Sequence, residues 1–355
     1  MKGLVVGVVG ATGMVGGELL SQLESRRFPA SDLRLFSASP GHASRFVLGR
    51  SRPVYQLSRH ASRLNECSLI FFAGSDRISR RLAKTLARRG AWVIDDSSAF
   101  RLDPDVPLVI PEVNAGSLRR DRRLVAGPNC TMSGLAVALA PLHRRWTIRE
   151  LRVATYQSVS GAGRAAVAEF ADQAGRLARV LAKKGIGNSG TPCSMVPPNS
   201  LGTPRALPAP IAGNVIPQVG SFDGLGRSEE ELKVASELAK VLGAPRIMTS
   251  VTAVRVPTVR GHALACWARF REPPPLPGAR LLLGRMPGLR LHGRSRYPTP
   301  LAAAGSDPVH VGRLRPGVDS REIALWIVSD NLLKGAALNA VQIAEELLRR
   351  GWLLG

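Results

Sequence analysis

Cys130 holds the most telling chemical position in the chain. It follows Gly127, Pro128 and Asn129 and precedes residues 131–142, which read as a helix, so its thiol should stand at a helix N-terminus. The unpaired N–H groups and positive dipole end there favour an anion, which predicts a lowered thiol pKa and a populated thiolate, the nucleophilic form. Cys67 and Cys266 lie in or beside apolar strand-like runs. With Cys193 they complete a set of four that has neither a CxxC pair nor a matching histidine spacing. No metal site and no disulfide framework is expected.

A second chemical element opens the sequence. Gly7, Gly10, Gly13 and Gly16 fall between an apolar run at 4–9 and a helical pattern reaching about residue 26, with Val15, Leu19, Leu20 and Leu23 on one face. Glycines at a strand-to-helix turn let backbone approach a pyrophosphate, and the helix N-terminus receives its charge. The next strand ends in FSASPGHASR, without the Asp or Glu that would bond a ribose 2′-hydroxyl. Ser37, Ser39 and Arg45 can accommodate a 2′-phosphate instead, which favours NADP over NAD. A thiolate beside a nicotinamide suggests acyl-transfer redox chemistry, in which sulfur attacks a carbonyl and hydride passes between that carbon and the cofactor. Such chemistry needs an acid/base and groups that hold an anionic substrate. The candidates are Arg255 and His262 in VRVPTVRGH, Glu230 and Lys233 on one helical face, Arg101 after DDSSAF, and Gln157 in TYQSVSGAG.

The elements that must position these groups alternate over the first third of the chain. Strands are expected at 4–9, 33–36, 69–72, 92–94, 108–110 and 124–126, with a helix at 78–89, the pattern of a parallel α/β sheet. Beyond Asn129 the texture becomes mixed α+β. A strand at 151–159 precedes a long helix at 163–184 and a Gly/Pro/Ser-rich loop at 185–213. Ser228 and Glu231 form a capping box for a helix to about residue 242. Runs at 251–256 and 263–270 are expected to pair as antiparallel strands, and a last strand at 323–328 leads into an amphipathic helix at 334–349.

The length of 355 residues suggests two domains, and 45% hydrophobic residues suffice for two cores. No apolar run reaches the ~20 residues that span a bilayer, and the glycine-punctuated start does not suit a signal peptide, so a cytoplasmic, membrane-free protein is expected. The formal charge is +23, and all but seven of the 49 basic residues are arginine. They are dispersed in pairs, and the densest run, Arg119-Arg120-Asp121-Arg122-Arg123, has no interleaved aromatic for base stacking. The charge therefore reads as a solvated surface and not as a nucleic-acid site.

Read together, VVGATGMVGGELL, VIDDSSAFRLDPDVPLVIPEVN, GPNCTM, TYQSVSGAG, NVIPQVGSFDG with EEELK, VRVPTVRGH, YPTPLAAAGSDPVHVGRLR and LWIVSDNLLKGAALNAVQIAEELL resemble the aspartate-semialdehyde dehydrogenases over nearly the whole chain. The resemblance implies a Rossmann-type dinucleotide-binding domain (1–129 with 330–355) and an α+β catalytic and dimerisation domain (130–329). It implies a homodimer or homotetramer that binds NADP(H). The implied reaction takes L-4-aspartyl phosphate to L-aspartate 4-semialdehyde and phosphate. Cys130 is implied as nucleophile, His262 as acid/base and Gln157 as orienter of the acyl intermediate. Arg255 would meet the substrate carboxylate, Glu230 its ammonium, and Arg101, Asn129 and Lys233 the phosphate. Gly10, Thr12, Gly13, Met14, Val15, Ser37, Ser39, Ser160, Gly161 and Asn331 correspond to the cofactor site. The chain departs from the pattern at Ser39-Pro40, Gly127 and Leu333. A reductase for N-acetylglutamyl phosphate or malonyl-CoA is the same-chemistry alternative, against which Glu230 speaks, since neither substrate offers a free amine near the reacting carbon. A non-catalytic basic paralogue is a further alternative, against which the intact Cys130, His262, Gln157 and Arg255 speak.

Overall fold

The computed structural model describes residues 3–38, 44–184, 196 and 198–353. Among them the strands are β1 (Val5–Val9), β2 (Asp32–Ser37), β3 (Ser44–Val47), β4 (Arg50–Gln56), β5 (Leu69–Phe72), β6 (Trp92–Asp95), β7 (Leu124–Ala126), β8 (Ile148–Gln157), β9 (Met248–Arg255), β10 (His262–Phe270), β11 (Leu289–Leu291), β12 (Val309–Pro316) and β13 (Glu322–Ser329). The first sheet runs β3-β4-β2-β1-β5-β6-β7, parallel except for the β3/β4 pair. The reversal of strand order beside β1 puts the glycine turn at the crevice where such sheets bind dinucleotides.

Alternate residues of the inner strands face opposite cores. Val6, Val8, Phe71 and Ile94 meet the helices Met14–Ser25 and Leu338–Arg349, while Val9, Ile70, Phe72 and Val93 meet Asp76–Arg88 and Cys130–Trp146. Burial on both faces explains why these strands are nearly continuous apolar runs. Gly10 sustains the first turn with φ +90°, and a Cβ there would lie 2.5 Å from the Ala73 carbonyl oxygen. Only glycine suits both conditions.

The second sheet runs β11-β12-β13-β10-β8-β9. The helix Cys130–Trp146 shares one core with both sheets, through contacts that include Leu151, Leu264 and Ile327. Its first residue therefore lies where the two halves of the molecule meet.

Some expectations require correction. The runs at 251–256 and 263–270 do not pair with each other. β8 lies between them, parallel to β9 and antiparallel to β10. The connection at 256–261 crosses the end of β8, where Val159 and Ser160 donate to Thr258 O and Val259 O, so no hairpin turn forms. Residues 108–110 make a single bridge to Ala126 and no strand; the segment is closed by Pro107 and Pro111, which lack an N–H for a ladder. β3, β4, β11 and β12 had no strong alternation to mark them. The terminal helix begins at Leu338, after a π-helical turn at Leu333–Ala337. The Ser228–Glu231 capping box forms as expected.

Candidate active site

Cys130 opens its helix, and Asn129 caps it by accepting from Thr131 N–H at 2.8 Å and Met132 N–H at 3.1 Å. The sulfur lies 3.4 Å from His262 Nε2. The other ring nitrogen, Nδ1, accepts from Ser158 N–H at 3.1 Å, so the proton of the neutral ring belongs on Nε2, facing sulfur. Burial, reinforced by Arg255, takes the His262 pKa down to about 3 and keeps the ring neutral. The expected thiolate is not the resting form. Burial and then the Glu230 charge push the Cys130 thiol up to about 11, against the pull of Arg101 and Arg255.

Glu230 and Glu237, seven residues apart on one helix, organise the rest. Glu230 accepts from Asn129 Nδ2 at 2.9 Å, Thr131 Oγ1 at 3.1 Å and Gln157 Nε2 at 2.9 Å, while Thr155 Oγ1 donates to Gln157 Oε1. Glu237, buried, accepts from Asn129 N–H at 2.7 Å and from Arg101 Nη1 at 3.2 Å. Arg101 also donates to Gly127 O and Asp96 O, which locks its guanidinium in place. Arg255 donates from Nη1 to Ser158 O at 2.8 Å. Gly161 abuts the Arg255 guanidinium and the His262 ring. Thus Cys130, His262, Gln157, Arg255, Glu230, Arg101 and Asn129 form one connected cluster. Lys233 is placed differently, half-buried in an ion pair with Glu229 at 2.6 Å.

The cofactor candidates divide into two groups. Gly10, Thr12, Gly13, Met14 and Val15 form the turn and first helical turn after β1, and Thr12 Oγ1 lies 3.0 Å from Ser37 Oγ at the end of β2. Ser39 lies outside the described residues. Ser160 and Asn331 sit beside the histidine: Asn331 Nδ2 donates to Ser160 Oγ, and its Oδ1 accepts from Gly261 N–H at 2.9 Å. Gly13 makes no side-chain cap, and no acidic residue occupies the first helical turn, so the N–H groups and positive field there are open to a pyrophosphate.

Sequence reasoning missed Glu237, Ser158 and Gly335. The i, i+7 spacing from Glu230 could have flagged Glu237. Ser158 meets His262 Nδ1 through both its backbone N–H and its hydroxyl, each at 3.1 Å, a role that no local sequence pattern marks. Gly335, in the π-helical turn, packs onto the nucleophile so closely that a Cβ would stand 2.8 Å from Cys130 Cβ. That turn is anchored by Lys334, buried, whose Nζ donates to Glu112 at 2.6 Å, Asn339 at 3.0 Å and Gln342 at 2.8 Å.

Comparison with known proteins gives a consistent result. The family model "Semialdehyde dehydrogenase, NAD binding domain" matches residues 5–120, and "Semialdehyde dehydrogenase, dimerisation domain" matches 139–334. The aspartate-semialdehyde dehydrogenase of Synechocystis sp. is 36% identical over 354 residues, 98% of each chain, and that of Streptomyces akiyoshiensis is 41% identical over 345 residues, 96% of this chain and 97% of its own. Among solved structures, aspartate semialdehyde dehydrogenase II from Vibrio cholerae, in its complex with ASA, is similar with a TM-score of 0.88 at 34% identity, covering 98% of this chain and 99% of that one.

Proposed function

This chain belongs to the aspartate-semialdehyde dehydrogenase family, and we infer that it reductively dephosphorylates L-4-aspartyl phosphate to L-aspartate 4-semialdehyde through a thioacyl enzyme on Cys130. The observation that carries this reading is a sulfur at a helix N-terminus, 3.4 Å from an imidazole nitrogen that bears a proton, within a cluster holding two arginines and a buried glutamate. The charges suit a small zwitterionic acid. Arg255 meets the α-carboxylate, Glu230 the ammonium, and Arg101 with Asn129 the phosphate. Lys233 joins the phosphate group once its ion pair with Glu229 gives way.

Sulfur attacks the acyl carbon as the thiol proton passes to the departing phosphate, and the resulting thioester is the electrophile for reduction. The dinucleotide, when bound, supplies the hydride. Arg101 and Arg255 favour the sulfur anion as it forms, and His262 holds a proton at Nε2 for the sulfur and for the oxygen that develops charge beside it. Gln157, tied to Thr155 and Glu230, fixes the acyl group's orientation. The first sheet, with its crossing C-terminal helix (1–129 and 330–355), carries the cofactor. Residues 130–329 carry catalysis and the interface of a homodimer or homotetramer. The cofactor is NADP(H), a reading supported by Ser37 standing at the end of β2 where NAD-binding sites carry an acidic residue. Among the described residues no helix is long and apolar enough to cross a membrane.

The test is an assay with aspartate semialdehyde and phosphate, offering NADP or NAD. Phosphate-dependent reduction of NADP is expected, with lower kcat/KM for NAD. Preference for an acyl-CoA substrate, or turnover that ignores phosphate, would refute the reading.

A further inference from the structure

β6 ends at two successive carboxylates with different surroundings. Asp95 is fully buried and satisfied, accepting from Ser79 Oγ at 2.7 Å, Ser97 Oγ at 2.8 Å and Ser97 N–H at 3.2 Å. Asp96, the next residue, keeps partial exposure, yet its Oδ1 is shut off from solvent and has no hydrogen-bond partner. That oxygen lies against Gly127, three residues before the nucleophile. A Cβ at 127 would stand 2.3 Å from it, so the carboxyl occupies space that any side chain there would claim. The main chains of Asp96 and Gly127 are both clamped to Arg101, whose Nη2 donates to Asp96 O at 2.7 Å and whose Nε donates to Gly127 O at 2.9 Å. The carboxyl thus borders the Arg101–Asn129 corner, to which the functional reading assigns phosphate.

The charged and ionisable groups around this corner come from five elements. Arg101, from the loop after β6, is the cation, and Glu237 from the helix Glu229–Leu242 already pairs with it at 3.2 Å. Asp95 adds a carboxylate from the same strand. Glu230 and Cys130 lie beyond Asn129, and Asp76, held by Ser98 and near Lys233, stands at the start of the helix Asp76–Arg88, which precedes β6. The carboxylates Asp76, Asp95, Glu230 and Glu237 outnumber the cations Arg101, Lys233 and, beyond Cys130, Arg255, and an unpartnered buried carboxylate is costly in such a field. Burial and the neighbouring Asp95, opposed by Arg101, push the Asp96 carboxyl up to about 8. At neutral pH it is an acid with an O–H to donate.

We propose that Asp96 is a positioning residue of the phosphate subsite, admitting the anion to Arg101 while its carboxyl is neutral and repelling it once ionised. The proposal rests on the functional reading above and adds to it a proton-controlled group on the wall of the site.

The experiment measures the apparent KM for inorganic phosphate in semialdehyde oxidation from pH 6.5 to 9.5, for the wild-type enzyme and Asp96→Asn. The acid form of a group titrating at about 8 falls roughly tenfold between pH 7 and 9. The wild-type KM is expected to rise about tenfold relative to that of the variant, in which an amide stands in for the neutral acid. The phosphate's own second ionisation is common to both and cancels in the ratio. A ratio that does not change with pH overturns the proposal. So does a variant that loses kcat at every pH with its phosphate KM unchanged, because that marks a purely structural role. Asp96→Ser is measured alongside, with calorimetric titration of inorganic phosphate into all three proteins at pH 7 and pH 9. Loss of affinity confined to the wild type is expected, and equal loss in all three overturns the proposal. Turnover that needs no phosphate in the wild type would instead remove the functional reading, and Asp96's role with it.

Discussion

Replacing Gly335 by alanine adds one methyl group to a crowded contact with the nucleophile. The new Cβ would lie 2.8 Å from Cys130 Cβ, 3.1 Å from its Cα and 3.2 Å from its carbonyl oxygen. Non-bonded carbons rest about 3.5–4.0 Å apart, so the turn and the cysteine must separate by about 1 Å. Neither side yields easily. Lys334 ties the turn to Glu112, Asn339 and Gln342, and Asn129 ties the helix start to Glu230 and Glu237. Overpacking of this kind costs about 1–3 kcal/mol in stability, and a displacement of about 1 Å at a reacting atom costs on the order of 100-fold in rate. Gly335→Ala is therefore expected to stay folded, with a urea midpoint lowered accordingly and kcat down by about two orders of magnitude. Gly284→Ala serves as the control, since a Cβ there meets nothing within 4 Å, and it should leave kcat unchanged. A Gly335→Ala enzyme with kcat within twofold of wild type would show that the turn does not hold the nucleophile in place.

Other perturbations separate the remaining roles. Cys130→Ala is expected to abolish turnover while calorimetry still detects dinucleotide binding; residual phosphate-dependent turnover would sink the thioacyl route. Arg255→Lys gives up a planar guanidinium already bonded to Ser158 O, and should raise the semialdehyde KM by about 10–100-fold, equivalent to about 1.5–3 kcal/mol for a charge-assisted bond; an unchanged KM counts against carboxylate binding there. Alkylation of Cys130 in the ligand-free enzyme, followed by peptide mass spectrometry, should climb about tenfold per pH unit from 7 to 10, because burial and Glu230 hold the thiol up at about 11; a plateau near pH 7 would restore the thiolate expected from the helix dipole. Glu112→Ala strands the buried Lys334 ammonium, and about 3–5 kcal/mol of stability should go with it, as denaturant titration would reveal.

The parallel sheet, the glycine turn and the placement of Cys130 at a helix start were legible because each rests on local pattern: continuous apolar runs, glycines at a fixed turn, a Pro-Asn boundary. The pairing of β8 between β9 and β10 was not, since two strands joined by six residues look like a hairpin until the loop's carbonyls are seen to bond Val159 and Ser160. That insertion brings Gln157, Arg255 and His262 together, so the misread pairing concerned the site itself. Nothing in the sequence singles out Glu237 or Lys334 as buried. Their burial follows from how the helices pack across two sheets, which spacing alone does not encode.

The sulfur illustrates how two local effects are ranked. A helix N-terminus favours an anion by about 0.3–2 kcal/mol, at most about one and a half decades in acidity. Desolvation acts over the whole sulfur and, with Glu230 adding to it, moves the thiol from an ordinary 9.0 to about 11. Two decades of thiolate population are lost by that rise. Nucleophilicity recovers part of them, because a thiolate's reactivity grows with its basicity at a Brønsted slope of about 0.4–0.5, roughly one decade here. The free enzyme's cysteine is therefore about tenfold less reactive than an unburied thiol toward oxidants and alkylating agents. The same burial brings the His262 Nε2–H, Arg101 and Arg255 to bear in a medium where each acts more strongly than in water, so the burial that leaves the resting sulfur inert is also what lets these groups stabilise the charge formed in the reaction.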